Sequence, residues 1–272
     1  VLRYGNGAGK IPSVRSLPED LVPLQIEESR RDGTCILTLS DPSGLQLLDG
    51  QALRTLLHTF RRMERDATVR VLVLTSRDGR AFSAGSDLGE LAHLDSGRAY
   101  DMSVLGQCVT GTLADLKVPV IAALRGLAYG GGLELAIAAD FRIASPETRF
   151  SYPATRLGIL PGYGGTQRLP QLVGPSRAKE LMLLGRVIEA GEALSWGLVN
   201  AVDDDPLGLA LVWARQLEER DAFALRQTKD CIANAEHLDF HSEQEAFSAC
   251  FAQPGVQDRL KNWQTTRSGR DG

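Results

Sequence analysis

Nowhere does the sequence hold an uninterrupted apolar run near the roughly 20 residues that a membrane-spanning helix needs, so no such span is expected. Cysteine and histidine are scarce. The four cysteines, Cys35, Cys108, Cys231 and Cys250, lie far apart without a CxxC pair. Neither a zinc site nor a disulfide framework follows from them, and a reducing compartment fits. Of the four histidines only His237 and His241 stand at helical i, i+4 spacing, with no HExxH or other ligand group nearby. They read as a solvated helix face, and no metal is expected. Basic charge is not in excess either. Thirty Lys and Arg against 34 Asp and Glu give a net charge of -4, the wrong sign for general nucleic-acid binding. Residues 1–24 lack an apolar h-region, which argues against a secretory signal. With Arg3, Lys10 and Arg15 and no acid before Glu19, they read as a flexible arm or a transit-peptide remnant.

What is present fits one large folded domain with an appendage: 272 residues, 43% hydrophobic and 24% charged. Thr34 to Leu39 reads as a strand, and Asp41-Pro42-Ser43-Gly44 as its exit turn. Leu53, Leu56, Leu57, Phe60 and Met63 recur at three- and four-residue spacing, the signature of an amphipathic helix. Val69 to Leu74 and Pro119 to Leu124 read as buried strands, with a helix between about Ala99 and Leu116. Strand alternating with helix is the rhythm of an α/β layer architecture. Leu157 to Gly165 is loop-like, and helix returns near Ser176 to Leu184. Beyond Asp203-Asp204-Asp205-Pro206 the chain shows no obvious strand, only helical stripes such as Leu207, Leu211, Trp213 and Leu217. The expected division is therefore an arm at 1–24, an α/β core at 25–203 and a helical region at 204–267.

Two glycine-bearing segments are candidates for chemistry. In the run from Arg125 to Ala136, Gly130, Gly131 and Gly132 stand between a strand and an apolar helix, where bare N–H groups can reach a phosphate or a developing oxyanion. A plain turn, or close helix–strand packing, explains the same glycines equally well. Glu134 falls in the first turn of that helix, as a candidate acid or base or merely a dipole partner. The second segment, Arg80 to Leu88, contains Ala84, Gly85 and Ser86 and follows the VRVLVL strand at the end where α/β sheets gather ligands. Asp87 there is a candidate N-cap.

AFSAGSDLGEL, LRGLAYGGGLELAIAADFRIAS, LGILPGYGGTQRLPQLVG and AKELMLLGRVIEAGEALSWGLVNAV, in this order, resemble the enoyl-CoA hydratase/isomerase (crotonase) superfamily across roughly residues 25 to 267. The resemblance implies a crotonase-like spiral of ββα units with a helical C-terminal oligomerisation region, assembled as a homotrimer or homohexamer. It also implies an acyl-CoA thioester substrate, with coenzyme A present as part of the substrate and no separate cofactor. The backbone N–H groups of Ser86 and Gly131 match the pair that holds the thioester oxygen, Glu134 matches one hydratase glutamate, and Ala84, Gly85, Leu88 and Gly130 match positions along the CoA and acyl group. A cytoplasmic or mitochondrial-matrix location is implied.

The chain departs from the family twice. Where hydratases carry a second glutamate in F-x-x-P-E-x-x-L-G, this sequence has Phe150-Ser151-Tyr152-Pro153-Ala154-Thr155-Arg156-Leu157-Gly158. Ala154 handles no proton, and losing one acid/base group costs about 10² to 10⁴ in rate. Tyr152, Tyr163 or water are left to fill the vacated space, while Glu147 would have to reach back from a turn. The other departure is at Ser40 to Leu47, where the family usually reads N-R-P followed by N-A. Three readings follow: a hydratase-like lyase using Glu134, a one-acid reaction such as acyl-CoA decarboxylation, or a non-catalytic acyl-CoA binding protein.

Overall fold

The computed structural model describes residues 24–77, 80–233, 239–260 and 262. In chain order the strands are β1 (Gln25–Arg31), β2 (Thr34–Ser40), β3 (Leu47–Leu48), β4 (Val71–Ser76), β5 (Ala81–Ser83), β6 (Gly85–Ser86), β7 (Val120–Leu124), β8 (Leu127–Tyr129), β9 (Phe141–Ala144), β10 (Arg149–Ser151), β11 (Val187–Glu189) and β12 (Ala201–Val202). The helices are α1 (Gly50–Arg65), α2 (Leu88–Leu91), α3 (Ser96–Ala114), α4 (Gly131–Ala136), α5 (Gly165–Leu184), α6 (Ala190–Trp196), α7 (Pro206–Glu218), α8 (Ala222–Ala233) and α9 (Phe240–Phe251).

Six strands form the main sheet in the order β1-β2-β4-β7-β9-β12, with β1 antiparallel at the edge and the others parallel. A parallel sheet needs cover on both faces, and the side chains alternate to supply it. Leu37, Leu39, Leu72, Leu74, Ala122 and Leu124 point into the larger core with the apolar face of α1, where Leu53, Leu56, Leu57, Phe60 and Met63 are all buried as their spacing predicts. Ile36, Val71, Val73, Ile121, Ala123 and Ile143 point the other way, onto Ala210, Leu211 and Ala214 of α7. Asp49 caps α1 by accepting the Ala52 N–H at 2.6 Å.

The helical stripe expected beyond residue 204 is therefore divided. α7 covers the outer face of the sheet, with Trp213 edge-on to Phe141 at 5.7 Å, and belongs to the α/β unit, which ends at Glu219. A second compact unit begins at Arg220. In it α8 and α9 contain no buried residue, Phe247 lies 5.0 Å from Phe251, and Arg259 bonds Asp221 at 3.0 Å. Leu24, the last residue of the expected arm, is buried in the core; the rest of the arm lies outside the described residues. His237 does too, while His241 pairs with Glu245 at 3.4 Å. Among the described residues no group of His, Cys, Asp and Glu has metal-binding geometry, and no helix is long and apolar enough to cross a membrane.

A second sheet, β11-β10-β8-β5, was not legible in the sequence. Its strands are three residues long, too short to show a period, and their pairing partners are remote in the chain. It changes where the glycine segments begin. The Gly85 segment follows β5 rather than the VRVLVL strand itself, and the Gly130 segment follows β8. Each ββα unit thus sends its first strand to the large sheet and its second to the small one: β4 and β5, β7 and β8, β9 and β10. This is the ββα spiral with a helical C-terminal region that the resemblance implies.

Candidate active site

Strands β5 and β8 are parallel neighbours, Ala81 opposite Leu127 and Ser83 opposite Ala128, so the two glycine-bearing segments leave the small sheet side by side. Their backbones touch. A Cβ added to Gly85, which has φ +95°, would lie 2.7 Å from the Tyr129 carbonyl oxygen and 3.1 Å from the Gly131 nitrogen. A Cβ on Gly132 would overlap the Ser83 backbone, so this glycine serves close helix–strand packing. Gly130 makes the turn at φ +47° and donates its N–H to the Ser151 carbonyl at 2.9 Å. Gly131 opens α4, and a first-turn N–H has no acceptor within its own helix. Ser86 stands opposite Leu48 in the pair β3–β6, which brings the divergent Ser40 to Leu47 loop against the same place.

Glu134 sits one turn into α4 and is only 2% exposed. Its Oε1 accepts the N–H groups of Tyr163 at 2.8 Å and Gly165 at 2.7 Å. Burial outweighs these two bonds and the nearby positive charge of Arg168, and pushes the carboxyl up to about 7. A buried acid whose pKa is raised toward neutrality is the kind of group that general acid–base chemistry uses.

The other expected positions range from buried, as Gly85 and Gly131 are, to exposed. Ala84 is half-buried and donates its N–H to the Leu45 carbonyl at 2.8 Å, Gly85 donates to Ser83 Oγ at 3.2 Å, and Leu88 is 60% exposed. Asp87 is the N-cap of α2, accepting the Glu90 N–H at 2.8 Å. Ala154 lies half-buried in the 3-10 turn Pro153–Leu157. Glu147 is exposed and pairs with Arg125 at 3.2 Å, so it does not reach back.

Two tyrosines crowd the carboxylate. A Cβ on Gly165 would come within 2.8 Å of the Tyr152 hydroxyl and 2.9 Å of Glu134 Oε1, and the fully buried Tyr152 hydroxyl has no hydrogen-bond partner among the described residues. Tyr163 is buried, and its hydroxyl is 2.9 Å from Ser86 Oγ. Burial holds both phenols well above their usual range, so they are neutral hydroxyls. Tyr163 was legible only as possible filler; its link between Ser86 and Glu134 depends on residues 77 and 29 positions away.

A buried carboxyl with a raised pKa, next to two converging backbone turns, marks the candidate active site of this ββα spiral. The family model described as enoyl-CoA hydratase/isomerase matches residues 29–268. The chain belongs to the enoyl-CoA hydratase/isomerase family and has the crotonase fold. It is 35% identical over 231 residues to the short-chain-enoyl-CoA hydratase of Clostridium acetobutylicum, spanning 83% of this chain and 88% of that one. It is 34% identical over 250 residues to the mitochondrial methylglutaconyl-CoA hydratase of Mus musculus, spanning 89% of this chain and 79% of that one. Among solved structures, the enoyl-CoA hydratase of Bacillus anthracis superimposes with a TM-score of 0.82 at 32% identity, covering 90% of this chain and 96% of its own.

Proposed function

We propose that this protein processes acyl-CoA thioesters as an enoyl-CoA hydratase-type lyase in which Glu134 is the working carboxylate. The Ser86 and Gly131 N–H groups receive the thioester oxygen, and Ala84, Gly85, Leu88 and Gly130 line the CoA and acyl path. The observation that carries this reading is the convergence of the Gly85–Ser86 and Gly130–Gly131 backbones beside a buried carboxyl raised to about 7. Relatives named as hydratases of short-chain enoyl-CoA and of methylglutaconyl-CoA support it. In the forward step the oxygen of water bonds to the β-carbon while Glu134 takes the water's proton. The alkene electron pair moves onto the thioester oxygen as an enolate, and Glu134 then returns the proton to the α-carbon. Each backbone donor aimed at that oxygen contributes about 3 kcal/mol to the transition state. The only coenzyme on this reading is the CoA of the substrate, and the site of action is the cytoplasm or mitochondrial matrix.

Ala154 favours a second reading, a reaction for which one acid and an enolate pocket suffice, such as decarboxylation of a malonyl-type thioester. The test is to incubate the protein with crotonyl-CoA and follow loss of the conjugated-thioester absorbance. Turnover is expected. Product from a malonyl-type thioester alone selects the second reading, and binding with no product from either thioester makes the protein a non-catalytic acyl-CoA binder.

The same reading includes assembly as a homotrimer or homohexamer. Its support is the apolar surface left on the C-terminal helices, where Ile232, Phe240 and Phe247 are each more than 60% exposed. Light scattering at micromolar concentration is expected to give three or six times the chain mass, and a monomer counts against it.

A further inference from the structure

We propose that Tyr163 sets the acyl-chain length this site accepts, restricting it to short acyl groups; the inference rests on the acyl-CoA reading above. Tyr163 touches all three landmarks of the proposed chemistry. Its hydroxyl bonds Ser86 Oγ at 2.9 Å, its N–H bonds Glu134 Oε1 at 2.8 Å, and its ring lies so close to Gly131 that a Cβ there would be 2.7 Å from Cε2 and 2.9 Å from Cδ2. On the ring's other edge Gly106 of α3 makes room in the same way, since a Cβ there would overlap the ring carbons Cγ, Cδ1 and Cε1.

The ring therefore fills a slot floored by glycine on two helices, and it is only 5% exposed. An acyl group whose carbonyl oxygen sits at the Ser86 and Gly131 amides, and whose α-carbon faces Glu134, must run past this ring. The first few carbons meet the phenol edge. On this proposal additional methylenes must displace the ring from a slot in which it is packed on both sides and tethered through its hydroxyl. Close-packed interiors do not yield such space without cost.

The test is calorimetric titration of the full chain with free CoA and with acetyl-, butyryl-, hexanoyl- and octanoyl-CoA, for the wild type, Tyr163→Ala and Tyr163→Phe. Wild-type affinity is expected to level off or fall beyond butyryl. Tyr163→Ala is expected to gain about fourfold per added methylene, the value of burying one CH₂, hence about fifteenfold from butyryl to hexanoyl. Free CoA should bind both equally. Tyr163→Phe keeps the ring and should keep the wild-type profile, which separates blockage from the loss of the Ser86 hydrogen bond.

A wild type that gains affinity steadily out to octanoyl-CoA overturns the proposal, even if Tyr163→Ala does not fold. So does a Tyr163→Ala profile identical to that of the wild type. Failure of the wild type to bind any thioester or CoA overturns the acyl-CoA reading itself, a different result from binding with no length limit.

Discussion

Glu134→Gln is expected to lower turnover by about 10² to 10⁴ while making the protein more stable above neutral pH. The amide oxygen of glutamine can accept the Tyr163 and Gly165 N–H groups as Oε1 does, so the local backbone has no reason to move. What disappears is the proton exchange. The stability gain follows from the direction of the shift. Folded Glu134 titrates at about 7, above its ordinary value of 4.5, because burial disfavours its charge. The folded state therefore holds a proton there more tightly than the unfolded chain does. Stability is lost as pH rises from about 4.5 to about 7, and the full penalty, up to roughly 3 kcal/mol, is present above that window. Glutamine removes the ionisation and with it the penalty. Denaturant melts at pH 8 should favour the variant and converge with the wild type near pH 4, whereas activity of the wild type should rise through a limb near pH 7. Unchanged turnover in Glu134→Gln would assign the chemistry to another residue.

Ala154→Glu is expected to raise crotonyl-CoA hydration by about tenfold to a hundredfold, approaching the lower part of the range that an acid/base group contributes. Position 154 is half-buried in a short turn whose preceding residue, Tyr152, is buried with its hydroxyl packed, like Glu134 Oε1, against Gly165. On the proposed reading, a second carboxylate there would share with Glu134 the work of holding water and delivering the α-proton. Two carboxylates close together also raise one another, so the pH optimum should move upward in the variant. Initial rates across pH for the wild type, Ala154→Glu and the double variant with Glu134→Gln would check this. A gain that survives loss of Glu134 would show that the new carboxylate acts independently.

Much of the architecture was written locally. The helix at Leu53 to Met63 and the strands at Thr34, Val71 and Val120 announce themselves because burial on one face imposes a period of 3.6 or a short apolar run. The order of four glycine-bearing motifs likewise pointed to the family, which the match over residues 29–268 shows, and made Glu134, Ser86, Gly131 and position 154 the places to test. Local patterns stop at contacts between remote segments. Strands β5, β8 and β10 have three residues each and acquire identity only by pairing with one another, so the sequence could not say that the two glycine turns emerge side by side. Nor could it assign α7 to the sheet rather than to the C-terminal helices, since a helical stripe does not name the surface it covers. The environment of Glu134 is tertiary for the same reason: its raised pKa comes from burial, and the N–H groups that its carboxylate accepts lie 29 and 31 residues away. Tyr163 is the clearest case. In the sequence it is one aromatic among glycines, and only folding brings Gly106, Gly131, Ser86 and Glu134 around it, because occupied volume is a property of the packed chain.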